Sequence, residues 1–228
     1  MDFWQELANV LFFNNHELLQ IIGVTLITSC CSTAISCIIG VPLGILIAIS
    51  NFRGKKMLLR VLHTLMGLPP VLAGLIVFFL LCGVGPFGRY HLLYSIPAMV
   101  TAQFLIITPI AAGLAESFAS GKLPLMNETM QGLRLSKASR FACLMRECRM
   151  QLFSVFFTGF GRAISEVGAA QIVGGNIQYK TRVMTTAIVL ETNMGDFEMA
   201  LALGILLLII SFVVMGLAQW LQEVTSRD

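Results

Sequence analysis

Leu18 to Phe52 contains no charged residue. A helix needs about 20 predominantly apolar residues to cross the hydrocarbon core of a bilayer. Four further stretches of this kind follow. Val61 to Gly88 holds only His63 as a possible charge, and Leu92 to Ala115 holds none. Met150 to Tyr179 is interrupted by Arg162 and Glu166 alone, and Met199 to Gln222 is uncharged. Backbone amides in lipid must find partners within their own segment, so these runs are expected to be helices. Composition agrees. The 228 residues are 57% hydrophobic and 12% charged, against about 25% charged in soluble domains.

The expected architecture is an all-α integral membrane bundle of about five transmembrane helices. They are placed near residues 19–49, 61–83, 93–115, 151–175 and 199–220. Pro42, between Gly40 and Gly44, marks a possible kink in the first. Residues 1–17 form an external segment without a basic signal-peptide region. Residues 116–150 form the longest loop, and 223–228 a short C-terminal tail.

Basic residues set the orientation. Residues 51–60 carry four of them and residues 116–149 carry six, whereas the alternate loops carry three, Arg89, Lys180 and Arg182. The alternation places the N-terminus outside and the C-terminus in the cytoplasm of a multi-pass cell-membrane protein. The net charge of +3 is spread over two loops and gives no reason to expect nucleic-acid binding. The six Cys show neither CxxC nor zinc spacing, so inert thiols and no metal site are expected.

Several residues are positioned to carry function. Thr25, Thr28, Ser29, Ser32, Thr33 and Ser36 recur at steps of three and four, on one helical face. Such a face suits either close helix packing or a hydroxyl-lined path. Pro69 and Pro70 remove two amide donors from the second run. The chain there either breaks to shape a cavity or begins its helix after Pro70, with residues 61–68 near the interface. Arg162 and Glu166 are four apart and can pair. With Ser165 they form a gate or substrate path, or a neutralised pair that fixes packing. Gly174-Gly175-Asn176 ends that helix. The mildly apolar Val183 to Leu190 is too short to span and reads as re-entrant or interfacial.

Residues 127–150 read as two short amphipathic helices. The first runs from Glu128 to Leu133, with a break near Gly132 or Arg134. The second is N-capped by Ser136 and runs through Phe141 and Leu144. Lys137 and Arg140 beside Phe141 suit docking in another protein's groove, or attachment to anionic headgroups.

The segment ETMQGLRLSKASRFACLMRE, residues 128–147, resembles the coupling loop of ABC-importer permeases. Glu128 matches that loop's Glu, Ser136 its small position, Phe141 its aromatic position and Leu144 an apolar one. Arg134 stands at its glycine position. GLPPVLAGL at 67–75, GRAISEVGAAQIVGGNI at 161–177, TRVMTTAIVLET at 181–192 and ALALGILLL at 200–208 resemble the tungstate branch of the oxyanion permeases. This branch is similar to the molybdate and sulfate permeases. The resemblance implies a type I importer permease fold of the MetI-like kind. It implies two permease copies, two ATPase subunits and an external oxyanion-binding protein as partners. ATP and Mg would be used by the ATPase, since this chain contains no GxxxxGK[ST] loop and is expected to be neither an enzyme nor a cofactor binder. Glu128, Gly132, Ser136, Lys137, Arg140, Phe141 and Leu144 would then contact or shape the ATPase-coupling surface. The expected cargo is tungstate, with a molybdate or sulfate permease as one alternative and a self-contained secondary transporter as another; the last would need a repeat or an ion relay within this chain, and neither is visible. A membrane enzyme would need clustered ligands, and the three His are dispersed.

Overall fold

A computed structural model describes residues 16–227 of the chain. The external segment assigned to residues 1–17 lies outside the described residues except for His16 and Glu17. The described elements are helical, in the order α1 His16–Ile49, α2 Lys55–Met66, α3 Pro70–Leu81, a 3-10 turn Gly88–Tyr90, α4 Ile96–Gly132, α5 Lys137–Glu147, α6 Arg149–Ile164, α7 Gly168–Gly174, α8 Met184–Met194 and α9 Phe197–Arg227. Among the described residues, three helices are long and apolar enough to cross a membrane: α1, α4 and α9. The pair α2 and α3 makes a fourth candidate crossing, bent by 97°. The run expected as one helix over 151–175 is instead α6 and α7, separated by Ser165, Glu166 and Val167.

α1 runs unbroken through Pro42 and packs chiefly on α4. Gly40 and Gly44 permit the approach. A Cβ on Gly40 would lie 2.9 Å from the Thr108 carbonyl oxygen, and one on Gly44 only 2.2 Å from the Ala112 oxygen. This is the small-xxx-small contact by which membrane helices come close without a solvent-driven hydrophobic force.

Two expected boundaries shift. α4 does not stop near Ala115 but continues to Gly132. Its 37 residues rise about 55 Å, well beyond the roughly 30 Å hydrocarbon core. The short helix expected at Glu128–Leu133 is therefore the tip of α4. Met130 explains it: 1% exposed, it packs with Leu144 of α5 and Val155 of α6, so tertiary contact carries the helix past the charged residues that suggested a loop. At the other end of the chain, the tail placed at 223–228 continues α9 as far as Arg227.

Three apolar clusters hold the bundle. One joins α1, α3, α4 and α7 around Met99, Ile106 and Val173. A second joins the C-terminal half of α1 to α4, α5 and α6 around Ile45, Met130 and Leu144. The third seats α8 and α9 against the start of α1 through Ile21, Met184 and Leu203. The six cysteines are free thiols.

Candidate functional site: two facing helix breaks and a capped surface helix

The break between α2 and α3 lies beside the break between α6 and α7. A Cβ on Gly168, the first residue of α7, would meet the Val71 side chain at 2.9 Å; one on Gly74 would meet the Ala169 Cα at the same distance. Pro70 occupies the first turn of α3, where its missing N–H removes no intrahelical bond. The 97° bend thus follows from Pro69 and Pro70. Helix stands on both sides of the break, α2 up to Met66 and α3 from Pro70. α2 has no buried residue.

Glu166 organises the second break. Its Oε2 lies 3.6 Å from the Arg162 guanidinium. Its Oε1 accepts from the Ala169 N–H at 3.1 Å, covering an orphan donor at the start of α7. Its backbone carbonyl accepts from the Thr185 hydroxyl of α8 at 2.8 Å. The carboxylate is 3% exposed, whereas the Arg162 side chain is 36% exposed. Ser165 is exposed and donates to the Arg162 carbonyl at 3.2 Å. A part-exposed guanidinium and an exposed serine therefore sit at the interruption between α6 and α7, held from behind by a buried acid.

The hydroxyl stripe lies elsewhere. Thr25, Thr28, Ser29, Ser32, Thr33 and Ser36 are all 3% exposed or less, inside the bundle. Thr28 bonds back to the Val24 carbonyl at 2.8 Å. Thr25 accepts from the Met184 N–H at 3.0 Å and so caps α8. Ser32 donates to Gln103 at 2.8 Å, and Gln103 donates to the Ala163 carbonyl at 3.2 Å. This relay ties the stripe to the end of α6. Ser29, Thr33 and Ser36 have buried hydroxyls without a hydrogen-bond partner. The geometry is that of a packing seam.

Beside the seam, the loops around α8 are tied to the start of α1. Arg182 pairs with Glu17 at 2.6 Å, and Gln178 donates to the same carboxylate at 2.8 Å. Thr181 bridges the Gly174 carbonyl at 2.5 Å and the Ile177 N–H at 3.1 Å. A cavity of about 470 Å³ opens here, lined by Glu17, Arg182, Glu191 and Asp196 among others. Burial pushes the Glu191 carboxyl up, Asp196 adds to the rise and Arg182 opposes it.

The surface helix is built as its sequence suggests. Ser136 accepts from the Ser139 N–H at 3.2 Å and N-caps α5. Between α4 and α5, Arg134 adopts φ 46°, the left-handed region that favours glycine. Arg140 Nε donates to the Leu135 carbonyl at 3.2 Å. Leu144 is fully buried, and Phe141 is half-buried against the same cluster. Glu128, Gly132 and Lys137 are exposed. Leu133, at 67% exposure, is the apolar side chain that this corner presents outward.

Residues 40–226 match the model of the binding-protein-dependent transport system inner membrane component family. The chain belongs to that family.

Relatives extend the match along the permease. It is 41% identical over 207 residues, 91% of each chain, to the tungstate uptake system permease protein TupB of Peptoclostridium acidaminophilum. It is 34% identical to the protein of the same name from Campylobacter jejuni, covering 92% of this chain and 88% of that one. A probable anion ABC transporter permease protein of Haloferax volcanii is 32% identical over 84% of each. The all-helical fold and multi-pass membrane character expected from the sequence stand with the family. Sequence reasoning found Arg162, Ser165 and Glu166, which the structure brings together. It missed Gln103, Thr181 and Thr185, since single polar residues within or beside apolar runs carry no periodic signal. Leu133 is exposed at this corner while Phe141 packs partly against the second apolar cluster, a difference that only tertiary packing sets.

Proposed function

We propose that the permease passes tungstate into the cytoplasm as the membrane subunit of an ATP-driven importer. The observation that carries the substrate is the 41% identity, along nine-tenths of both chains, to a tungstate uptake permease. A doubly charged tetrahedral oxyanion suits recognition by guanidinium and hydroxyl donors. Arg162 and Ser165, exposed at the facing breaks, are the residues best placed to meet it, with Glu166 holding Arg162 in position. Weak contacts suit this role, because a conducting path must also release its ion. The stripe from Thr25 to Ser36 serves as the seam on which neighbouring helices pack.

Two copies of the permease assemble with two ATPase subunits and receive the anion from an extracytoplasmic oxyanion-binding protein. ATP and Mg are used by the ATPase, and this chain binds no cofactor. The N-terminus is outside and the C-terminus cytoplasmic, as the ten basic residues on one set of loops against three on the other support. The corner from Glu128 through Leu144 then docks on the ATPase. Lys137, Ser136 and Gly132 lie on its outer surface, Arg140 and Leu144 hold its shape, and Phe141 anchors it from within. Rigid-body movement of this corner transmits ATPase closure to the breaks.

Reconstitution tests the reading. Permease, ATPase and binding protein in liposomes should hydrolyse ATP faster when tungstate is present, with molybdate and sulfate as competitors. Uptake of tungstate by the purified permease alone, driven by an ion gradient, would overturn it in favour of a secondary transporter. Leu133→Asp should cut coupled hydrolysis about tenfold or more while membrane insertion is retained, since charge in a docking groove is costly. Unchanged coupling would remove this corner from the ATPase interface.

A further inference from the structure

An apolar groove of about 760 Å³ runs between α1, α6 and α9, with the end of α5 as one wall. Ile38 and Val41 of α1 face Phe153 and Phe156 of α6, and Ala218 of α9 closes the far side. Arg149 also lines it. Arg149, Phe153 and Phe156 follow at steps of four and three, so they share one face of α6, with a rise of roughly 10 Å from first to last. The groove therefore has a cation at one end and an aromatic trough behind it. Ile38 is 73% exposed and Phe153 43%, so the trough opens outward from the bundle. Arg149 is exposed and belongs to none of the ion pairs found among the described residues. Arg149 starts α6, directly after the basic loop. Ile38 and Val41 lie in the half of α1 that leads to the other basic loop. The groove thus belongs to the leaflet on the basic side.

We propose that this groove holds a membrane phospholipid with an anionic headgroup. The phosphate sits on Arg149, and an acyl chain lies along Phe153 and Phe156 toward Ile38. A cation at the interface followed by an apolar trough matches an amphiphile with a negative head. Phe156 also stacks on Phe160, with ring centroids 6.4 Å apart, which stiffens the trough wall. Met145 of α5 lines the same groove, so an occupying lipid touches the surface helix directly. The lipid would brace α5 against α6. This inference does not depend on which anion the permease carries.

The test uses the permease–ATPase complex extracted from vesicles of equal phosphatidylglycerol and phosphatidylcholine with matched acyl chains. Native mass spectrometry should find phosphatidylglycerol retained over phosphatidylcholine by about fivefold, the effect of one cation near an anionic headgroup. Arg149→Gln should abolish that preference. Ile38→Trp, at an exposed position that needs no repacking, should fill the groove and displace the lipid while the complex still assembles. A photo-crosslinking residue at position 38 should capture phospholipid. Equal lipid retention by all three proteins would overturn the proposal. So would crosslinks from position 38 to a second copy of the chain, which would make the groove a protein interface.

Discussion

The seam between α1 and α4 and the facing breaks at 67–69 and 165–167 are both polar interruptions of apolar sequence, yet they are built in opposite ways. In the seam the backbone is continuous. Its hydroxyls are short, several bond to their own helix, and glycines bring the neighbour into contact. At the break between α6 and α7 the helical ladder is lost, and Glu166 closes it twice: its side chain accepts from the nearby Ala169 N–H, and its carbonyl accepts from Thr185, distant in sequence. The seam therefore depends on shape and the breaks on specific partners. A membrane protein tolerates polarity in either form, but only the second leaves a charged group, the Arg162 guanidinium, part-exposed and able to meet an anion.

The largest effect should come from filling the seam. Gly44→Ala places a methyl 2.2 Å from the Ala112 oxygen, a clash with backbone that no side-chain rotation relieves. It should cost about 3 kcal/mol or more, seen as a loss of folded protein in thermal unfolding. A stable Gly44→Ala variant would show that shape does not govern the seam.

Next, Glu166→Ala removes both the Arg162 partner and the cover for Ala169. Because Arg162 is partly solvated, the expected loss is about 1–3 kcal/mol, together with impaired transport. Glu166→Gln sharpens the point. It keeps an acceptor for Ala169 and removes the charge, so stability should recover in part while transport stays low. If Gln restored transport fully, the acid would be a cap and nothing more.

Arg134→Gly acts at a third interruption, the turn before α5. Its φ of 46° suits glycine, so the variant should gain about 1 kcal/mol. Melting temperature of the purified permease would check the sign.

The smallest effect is expected for Ser36→Ala in the seam. The hydroxyl is buried without a partner, so its removal should leave stability unchanged or raise it by up to about 1 kcal/mol. Transport should be unaffected. A transport defect in this variant would return the stripe to the translocation path.

The rough place of the long apolar helices α1, α4 and α9 was legible in the sequence, because exclusion of charge over some 20 residues is a demand of the bilayer itself. So was the Ser136 cap, which is a local interaction. The reach of α4 was not legible. Its last turns are polar and are held helical by Met130 packing on Leu144 and Val155. Arg162 and Glu166 were legible as a pair from their spacing, but the sequence placed them within one helix rather than at a break.

By itself, the sequence determined that this chain is a helical membrane protein and which end of each segment is basic. Both follow from the transfer cost of charge into hydrocarbon, which is summed residue by residue. Tertiary structure alone decided that the hydroxyl stripe is buried, that Phe141 turns inward while Leu133 faces out, and that two helix breaks lie side by side. Those outcomes depend on contacts between residues far apart in the chain, such as Gly74 with Ala169 and Ser32 with Gln103. No local pattern encodes which distant surface a helix will meet.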